Sequence, residues 1–128
     1  MESVKPEDRV SMVQERVFLV RELSNPTPET VSQSANYIRE LSRDCDKFSI
    51  LVEFQSRVFP SAAVRHRVAE EMVSMKGKLA HVAIITNNNV VLSVAIRFIA
   101  LLSGYRHISF HRSREDALQL VQKRFPSR

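Results

Sequence analysis

The sequence predicts one α/β domain built on a mixed, mostly parallel sheet of four or five strands with about four helices. Runs rich in β-branched and aromatic residues alternate along the chain with segments of helical periodicity. The segments between successive strands are long enough for the right-handed crossovers that parallel strands require. The chain has 128 residues, of which 44% are hydrophobic and 26% charged, as expected for a single domain with its own core. We therefore expect one domain over residues 1–128, with 1–9 and 126–128 frayed.

Two strands open the predicted order. Val10–Val13 and Val17–Leu23 are rich in β-branched residues, and their side chains alternate between two faces. The polar residues Gln14–Arg16 stand between them. This pattern leaves two alternatives, which are a hairpin with its turn at Gln14–Arg16 and one long bent strand.

The first long helix is predicted to begin at Pro28. Proline suits the first helical position, Thr27 can cap the helix, and Glu29 complements its dipole. The apolar residues that recur at helical spacing are Val31, Ala35, Ile38, Leu41 and Cys45. Because Cys45 is the only cysteine, it cannot form an internal disulfide. We expect a buried packing thiol there and a reducing cytoplasm around the protein.

The middle of the chain predicts two further strands and a helix between them. The compact run Phe48–Phe54 is expected to be an inner strand. A helix then begins near Ser61 and ends at Lys76–Lys78. Leu79–Thr86 is the next strand, and Asn87–Asn89 form the turn that caps the following helix.

That following helix, Val90–Ser103, is apolar nearly all the way round, since only Ser93, Arg97 and Ser103 are polar. Its apolar arc covers roughly 240°, whereas a surface helix needs about 100°. Either the sheet and neighbouring helices cover this arc, or part of it meets a second subunit, a partner or a lipid-like ligand. The exposed part is expected to come from Val91, Ala95, Phe98 and Leu102, or from Leu92, Ile96 and Ile99.

A strand and a helix complete the predicted order. Gly104 can take the left-handed conformation that ends the apolar helix. His107–His111 is a short last strand. Ser113 can cap a final helix over Arg114–Lys123, which has acidic residues in its first turn.

The charge pattern excludes several functional classes. The net charge of +5 comes from cations scattered along the chain, and with no Trp and two Tyr there is no basic face interleaved with stacking aromatics. We therefore expect no nucleic-acid partner. The mixed charges of the first ten residues do not form a signal peptide. The longest apolar run is too short to span a bilayer, so we expect no stable membrane insertion and a cytoplasmic location.

Motifs for cofactors and metals are missing from the sequence. Two glycines are too few for a Gly-rich phosphate loop. The four histidines come singly, and His107 and His111 would point to one strand face about 13 Å apart. We expect surface or edge histidines, with no metal and no cofactor.

A catalytic serine is the weakest interpretation. Ser61 follows a strand end, where α/β proteins place functional groups, and Glu53 and His66 could act beside it as acid and base. The chain has no G-x-S-x-G elbow, and Ser61 is better explained as a helix cap. The prediction is a protein that is not an enzyme.

Cations surround the start of the second long helix, namely Arg57, Arg65, His66 and Arg67. Positive charge at the amino end of a helix opposes its dipole, so these residues do not serve helix stability. One explanation is that they meet an anionic partner or ligand. The other is that they pair with Glu70 and Glu71 while the arginine stems cover apolar surface.

Four stretches resemble the STAS domains of bacterial anti-sigma-factor antagonists, in particular the SpoIIAA-like branch. They are NPTPETVSQSANYIREL at 25–41, FSILVEF at 48–54, LAHVAIITNNNVVLSVAIRF at 79–98 and HISFHRSREDALQLV at 107–121. The resemblance covers nearly the whole ordered chain. It implies a small STAS-like α/β sandwich.

The resemblance also points to the start of the second long helix. In that family a phosphorylatable serine lies in an Asp-Ser-Ser-Gly segment that opens this helix. Here the matching stretch is Ser61-Ala62-Ala63-Val64, so alanines replace the serine pair. Ser61 is the residue near enough to be phosphorylated, and a phosphate there would gain from the helix amino terminus and Arg65. The resemblance implies a module that binds partners without that switch.

The leading hypothesis is a non-enzymatic bacterial regulatory module that docks a protein partner through the loop and helix start at 55–67. The docking residues are Arg57, Ser61, Arg65, His66 and Arg67. Self-association as a homodimer would use the apolar helix at Val91, Ala95, Phe98 and Leu102. The alternative is a carrier or sensor of a small lipid-like ligand in an apolar pocket lined by helix 90–103.

Overall fold

The computed structural model describes residues 4–54, 60–87 and 89–124, without the side chains at 91, 92, 95, 98 and 102. The elements are α1 Pro6–Arg9, β1 Val10–Gln14, β2 Val17–Arg21, α2 Pro28–Leu41, β3 Phe48–Glu53, α3 Ala62–Met75, β4 Leu79–Ile85, α4 Val90–Ser103, β5 Ile108–His111 and α5 Arg114–Arg124. The strands form one sheet in the order β1-β2-β3-β4-β5. Strand β1 is antiparallel to β2, and the other pairs are parallel. The predicted α/β class with a mostly parallel sheet is confirmed.

The first two strands form a hairpin, which decides between the two alternatives. Val10 pairs with Val20, and Met12 pairs with Phe18. Arg16 in the turn has a φ of 64°, a left-handed conformation that tight hairpin turns require. The alternation along β2 sends Phe18 and Val20 to one face of the sheet and Val17 and Leu19 to the other.

The chain start is more ordered than expected at Pro6–Arg9, which forms the helical turn α1. Arg9 is only 5% exposed, and its Nη1 lies 3.4 Å from Oε1 of Glu22, which is also buried. The sequence does not predict the burial of Arg9, because the pattern of residues around it is the same as around a surface arginine. The buried pair holds the chain start against the end of β2.

Two separate cores lie on the two faces of the sheet. On the face that we call the three-helix face, α2, α3 and α4 pack against Phe18, Ile50 and Val82. On the opposite face, Ala117 and Val121 of α5 pack against Leu51 and Ala83. Three successive right-handed crossovers along a sheet that grows in one direction place their helices on the same side.

The three helices α2, α3 and α5 begin at the capping residues that the sequence predicts. The Thr27 hydroxyl accepts a hydrogen bond from the Thr30 amide, and the Thr30 hydroxyl accepts one from the Thr27 amide, which completes a capping box at α2. Ser61 and Ser113 accept from the amides of Val64 and Asp116, both at 3.2 Å. These caps confirm the predicted starts of α2, α3 and α5.

The end of α2 differs from the prediction. The helix ends at Leu41, which is 42% exposed, while Ser42 is buried at 1% exposure. Cys45 therefore lies in the loop after the helix, half-buried against the core of the three-helix face. The prediction that Leu41 and Cys45 continue the buried stripe of this helix was wrong, since Leu41 is exposed in the last turn and the helix ends before Cys45.

Helix α4 ends before Gly104, whose φ of 67° confirms the predicted left-handed cap. Ser103, one of the three polar residues of this helix, is buried, and its hydroxyl donates to the Ala100 carbonyl and accepts from the Tyr105 amide. Ile96 and Ile99 are 3% and 2% exposed, which excludes the second of the two alternative exposed sets, that of Leu92, Ile96 and Ile99. The side chains of Leu92 and of the set Val91, Ala95, Phe98 and Leu102 lie outside the described part of the structure.

Candidate functional site

An apolar cavity of about 90 Å³ lies between the three-helix face of the sheet and helices α2, α3 and α4. Its floor is formed by strand side chains such as Val20, Ile50 and Ile84. Its roof includes Ile38 of α2 and Ile99 of α4. We call this space the helix–sheet cavity. The space is partly open to the protein surface and its walls are mostly apolar, as is typical of a site for a small ligand.

Short side chains on α2 leave this space open. Ser34 and Ala35 are adjacent, 4% and 5% exposed, and both line the cavity. A longer apolar side chain at either position would reach toward the strands, as Ile38 does one turn later. The small side chains of Ser34 and Ala35 therefore help to leave this space open.

Of the described residues that line the cavity, three are polar, and two of these form ion pairs with arginines of this chain. Glu71 pairs with Arg39 at 3.1 Å. Glu22 accepts a hydrogen bond from the Leu23 amide at 3.0 Å and pairs with Arg9.

The third polar residue, Ser34, has no hydrogen-bond partner for its buried hydroxyl among the described residues. Buried hydroxyls are nearly always hydrogen-bonded, and leaving one unpaired costs free energy. Its position has a sequence signal, since Ser34 stands three residues after Val31 and four before Ile38, on the apolar stripe of α2. The prediction took only the apolar residues of that stripe and missed the serine.

The predicted docking residues that the structure describes lie at the start of α3. Arg57 lies outside the described residues. Ser61 is exposed and caps α3. The Arg65 guanidinium donates to the Pro60 carbonyl at 2.5 Å, which holds it against the chain that enters the helix. His66 is exposed.

Arg67 faces α2 instead of solvent. Its Nη1 donates to the Ser32 hydroxyl at 2.7 Å and to the Pro28 carbonyl at 3.3 Å. Glu71, one turn later, pairs with Arg39 of α2 and not with Arg67. The structure therefore brings Ser61, Arg65, His66 and Arg67 to one helix start, but Arg65 and Arg67 already bind groups of this chain.

A second polar group, on the α5 face, links two histidines through one hydroxyl. The Ser109 Oγ lies 2.7 Å from Nε2 of His81 and 2.6 Å from Nε2 of His111. His81 is 3% exposed, so the expectation of surface or edge histidines was wrong for this residue. This group could not be predicted from the sequence, because its three side chains come together only through the pairing of β4 with β5, in which Ala83 lies opposite Ser109.

Burial controls the protonation of these histidines. Desolvation, with the charge of Arg124 as a smaller cause, lowers the pKa of His81 to about 4. Desolvation also lowers the pKa of His111, against the opposing effect of Asp116. Both rings are thus neutral near pH 7. A serine hydroxyl has one proton, so one imidazole donates to Oγ and the other accepts from it, which ties β4 to β5.

No described group of three or more His, Cys, Asp or Glu side chains could hold a metal ion. Within the described residues, every helix is too short or too polar to cross a membrane. Comparisons of this chain with protein-family models, curated proteins and solved structures find no match.

Proposed function

We propose that this chain is a non-enzymatic binding module that holds a small apolar ligand in the helix–sheet cavity. One observation carries the proposal, which is the apolar cavity of about 90 Å³ lined by α2, α3, α4 and the sheet. Helix α4 contributes Ile96 and Ile99, so its large apolar arc serves the cavity as well as the core. Ligand sites are typically apolar spaces with a few polar groups that orient the ligand.

The size of the cavity sets the size of the ligand. A cavity of about 150 Å³ lined by Leu, Ile and Phe binds benzene or xenon. The helix–sheet cavity is smaller, at about 90 Å³. It fits one small ring or the end of a short aliphatic chain, and not a whole lipid tail. Burial of apolar surface contributes about 25 cal/mol per Å², so such a ligand would bind weakly to moderately.

A ligand in this position would act on the packing of three helices at once. Ile38, Met72 and Ile99 come from α2, α3 and α4, and all three line the cavity. A ligand that binds only the folded state stabilises it in proportion to the logarithm of its concentration. The module would thus report ligand level through the stability and packing of its three-helix face.

The test is a titration of the full chain with benzene, followed by NMR of the isoleucine methyl groups. We expect shifts at Ile38, Ile96 and Ile99, on the cavity side, and none at Ile85 on the α5 face. Ala35→Val, which fills the cavity, should weaken binding, while Ala63→Val on the exposed start of α3 should leave it unchanged. Shifts spread equally over both faces, or equal affinity in both variants, would contradict the proposal.

We propose as the second candidate the STAS-like regulatory module that docks a bacterial cytoplasmic protein through the surface at 55–67. The observation in its favour is that Ser61, Ala62, Ala63 and His66 at the start of α3 are exposed. The resemblance of four sequence stretches and the mostly parallel sheet support the family assignment. Ser61, exposed at the helix start, stays the candidate phosphorylation site.

Docking needs a test that does not disturb the fold. Arg65 and Arg67 bind groups within this chain, so their replacement would also loosen the start of α3. His66→Glu alters the exposed surface alone, and Lys76→Glu at the far end of the helix is the matched control. If His66→Glu abolishes binding to a purified candidate partner and Lys76→Glu does not, docking through this surface is supported. Equal binding by both variants would contradict it.

A further inference from the structure

Ser34 differs from the other serines whose hydroxyls the structure describes in helices. Ser93 and Ser103 donate to carbonyls of their own helix, at 3.1 Å and 3.0 Å. Ser32 accepts from Arg67 at 2.7 Å. Ser34 is more buried than Ser32 and makes no such bond in the described structure. The carbonyl one turn earlier, that of Thr30, accepts from Arg9 instead.

The unpaired hydroxyl lies in the wall of the helix–sheet cavity. A water molecule in a protein interior needs two to four polar partners, about three on average. Around this cavity the carboxylates of Glu22 and Glu71 are already paired with Arg9 and Arg39. Ser34 alone is therefore a poor site for water and a good site for one polar atom on an otherwise apolar molecule.

The lining of the cavity restricts the charge of that molecule. A ligand with its own carboxylate or phosphate would bury a charge against apolar walls, where Arg9 and Arg39 are already paired with Glu22 and Glu71. A neutral hydroxyl or carbonyl avoids this cost, since a hydroxyl can donate to or accept from the Ser34 hydroxyl and a carbonyl can accept from it.

We infer that the ligand of the helix–sheet cavity is a small neutral molecule with an apolar body and one hydroxyl or carbonyl group, which hydrogen-bonds to Ser34. This inference rests on the proposed function and adds the chemical class of the ligand. Ser34 is the residue that distinguishes such a molecule from a plain hydrocarbon of the same shape.

Benzene and phenol are the probes, because they differ by one hydroxyl. Each is titrated into the wild-type chain, Ser34→Ala and Ser42→Ala, a buried serine outside the cavity. We expect Ser34→Ala to keep its affinity for benzene and to lower the ratio of phenol to benzene affinity by roughly 5- to 20-fold. Ser42→Ala should keep the wild-type ratio.

The outcomes separate the two claims. If the wild type binds benzene and phenol, and Ser34→Ala leaves their affinity ratio unchanged, the role of Ser34 is wrong while the cavity remains a binding site. If neither compound binds the wild type, the proposed function itself is overturned. Retained benzene binding by Ser34→Ala shows that this variant is folded.

Discussion

His81 and Ser109 join the last two strands of the sheet through a contact of 2.7 Å between Nε2 and Oγ. His81 lies under α5, where it is 3% exposed and has a pKa of about 4. The ring is neutral in the folded protein at pH 7, and protonation would place a charge between the sheet and α5. The contact therefore ties the stability of this face to pH.

The first prediction concerns acid stability. His81 in the unfolded chain has a pKa near 6.5, so the unfolded state binds the proton more readily than the folded state does. The contribution of His81 is fully present above about pH 6.5 and is lost as the pH falls toward 4, by on the order of 3 kcal/mol. Urea unfolding between pH 7 and pH 4 measures this loss. His81→Gln should flatten the profile, and His66→Gln, at an exposed position, should not. Parallel profiles for the wild type and His81→Gln would contradict this assignment.

The second prediction concerns the buried pair of Arg9 and Glu22. Removal of Arg9 leaves the buried Glu22 carboxylate without its arginine, so Arg9→Met should lower the free energy of unfolding by roughly 3–5 kcal/mol. The double variant Arg9→Met, Glu22→Gln should lose much less, because no buried charge remains at this site. Chemical denaturation gives both values. A double variant as unstable as Arg9→Met alone would show that the pair is not the cause.

An exposed pair provides the control for that experiment. Arg16 and Glu15 lie 4.0 Å apart with about half of each side chain exposed. Exposed pairs contribute little, so Arg16→Met should change stability by less than about 1 kcal/mol.

The third prediction concerns Ser34 in the absence of ligand. Because its hydroxyl is buried and unpaired, Ser34→Ala removes an unfavourable group and should raise the free energy of unfolding by about 1 kcal/mol. Ser42→Ala should lower it by about 1 kcal/mol, since the Ser42 hydroxyl donates to the Arg39 carbonyl. Thermal unfolding of the two variants compares them directly. Destabilisation by Ser34→Ala would mean that the hydroxyl has a partner in the folded protein.

The fourth prediction concerns self-association through α4. Val90 and Leu101 are 75% and 78% exposed, and Val94 between them is 45% exposed, on the same stripe of the helix. This stripe differs from the predicted interface of Val91, Ala95, Phe98 and Leu102, and a homodimer formed through it should shift to monomer in Leu101→Lys. Val73→Lys, at an exposed position of α3, is the control. Sedimentation equilibrium gives the mass of each, and a wild type that is monomeric at high concentration would exclude the dimer.

The elements that local signals define could be predicted from the sequence. Thr27 and Pro28 start α2 as capping chemistry requires, and Gly104 ends α4 in the expected conformation. The opposite faces of β2 follow from the alternation of Phe18 and Leu19. In each case the signal lies within a few residues of the chain.

The features that depend on distant parts of the chain could not be predicted in this way. The link from His81 to His111 needs the register of β4 with β5. The burial of Arg9 needs Glu22, across the hairpin. The cavity beside Ser34 depends on how closely α2 approaches the sheet, which no single stretch of sequence contains.

Crystallography of the full chain under xenon pressure tests the central claim most directly, since xenon occupies dry apolar cavities without needing a polar partner. The account predicts a xenon atom between the sheet and α2, α3 and α4, in contact with Ile38 and Ile99 and close to Ser34, and its absence in Ala35→Val. Wild-type crystals in which this space is filled by side chains or ordered water, with no xenon there, would contradict it.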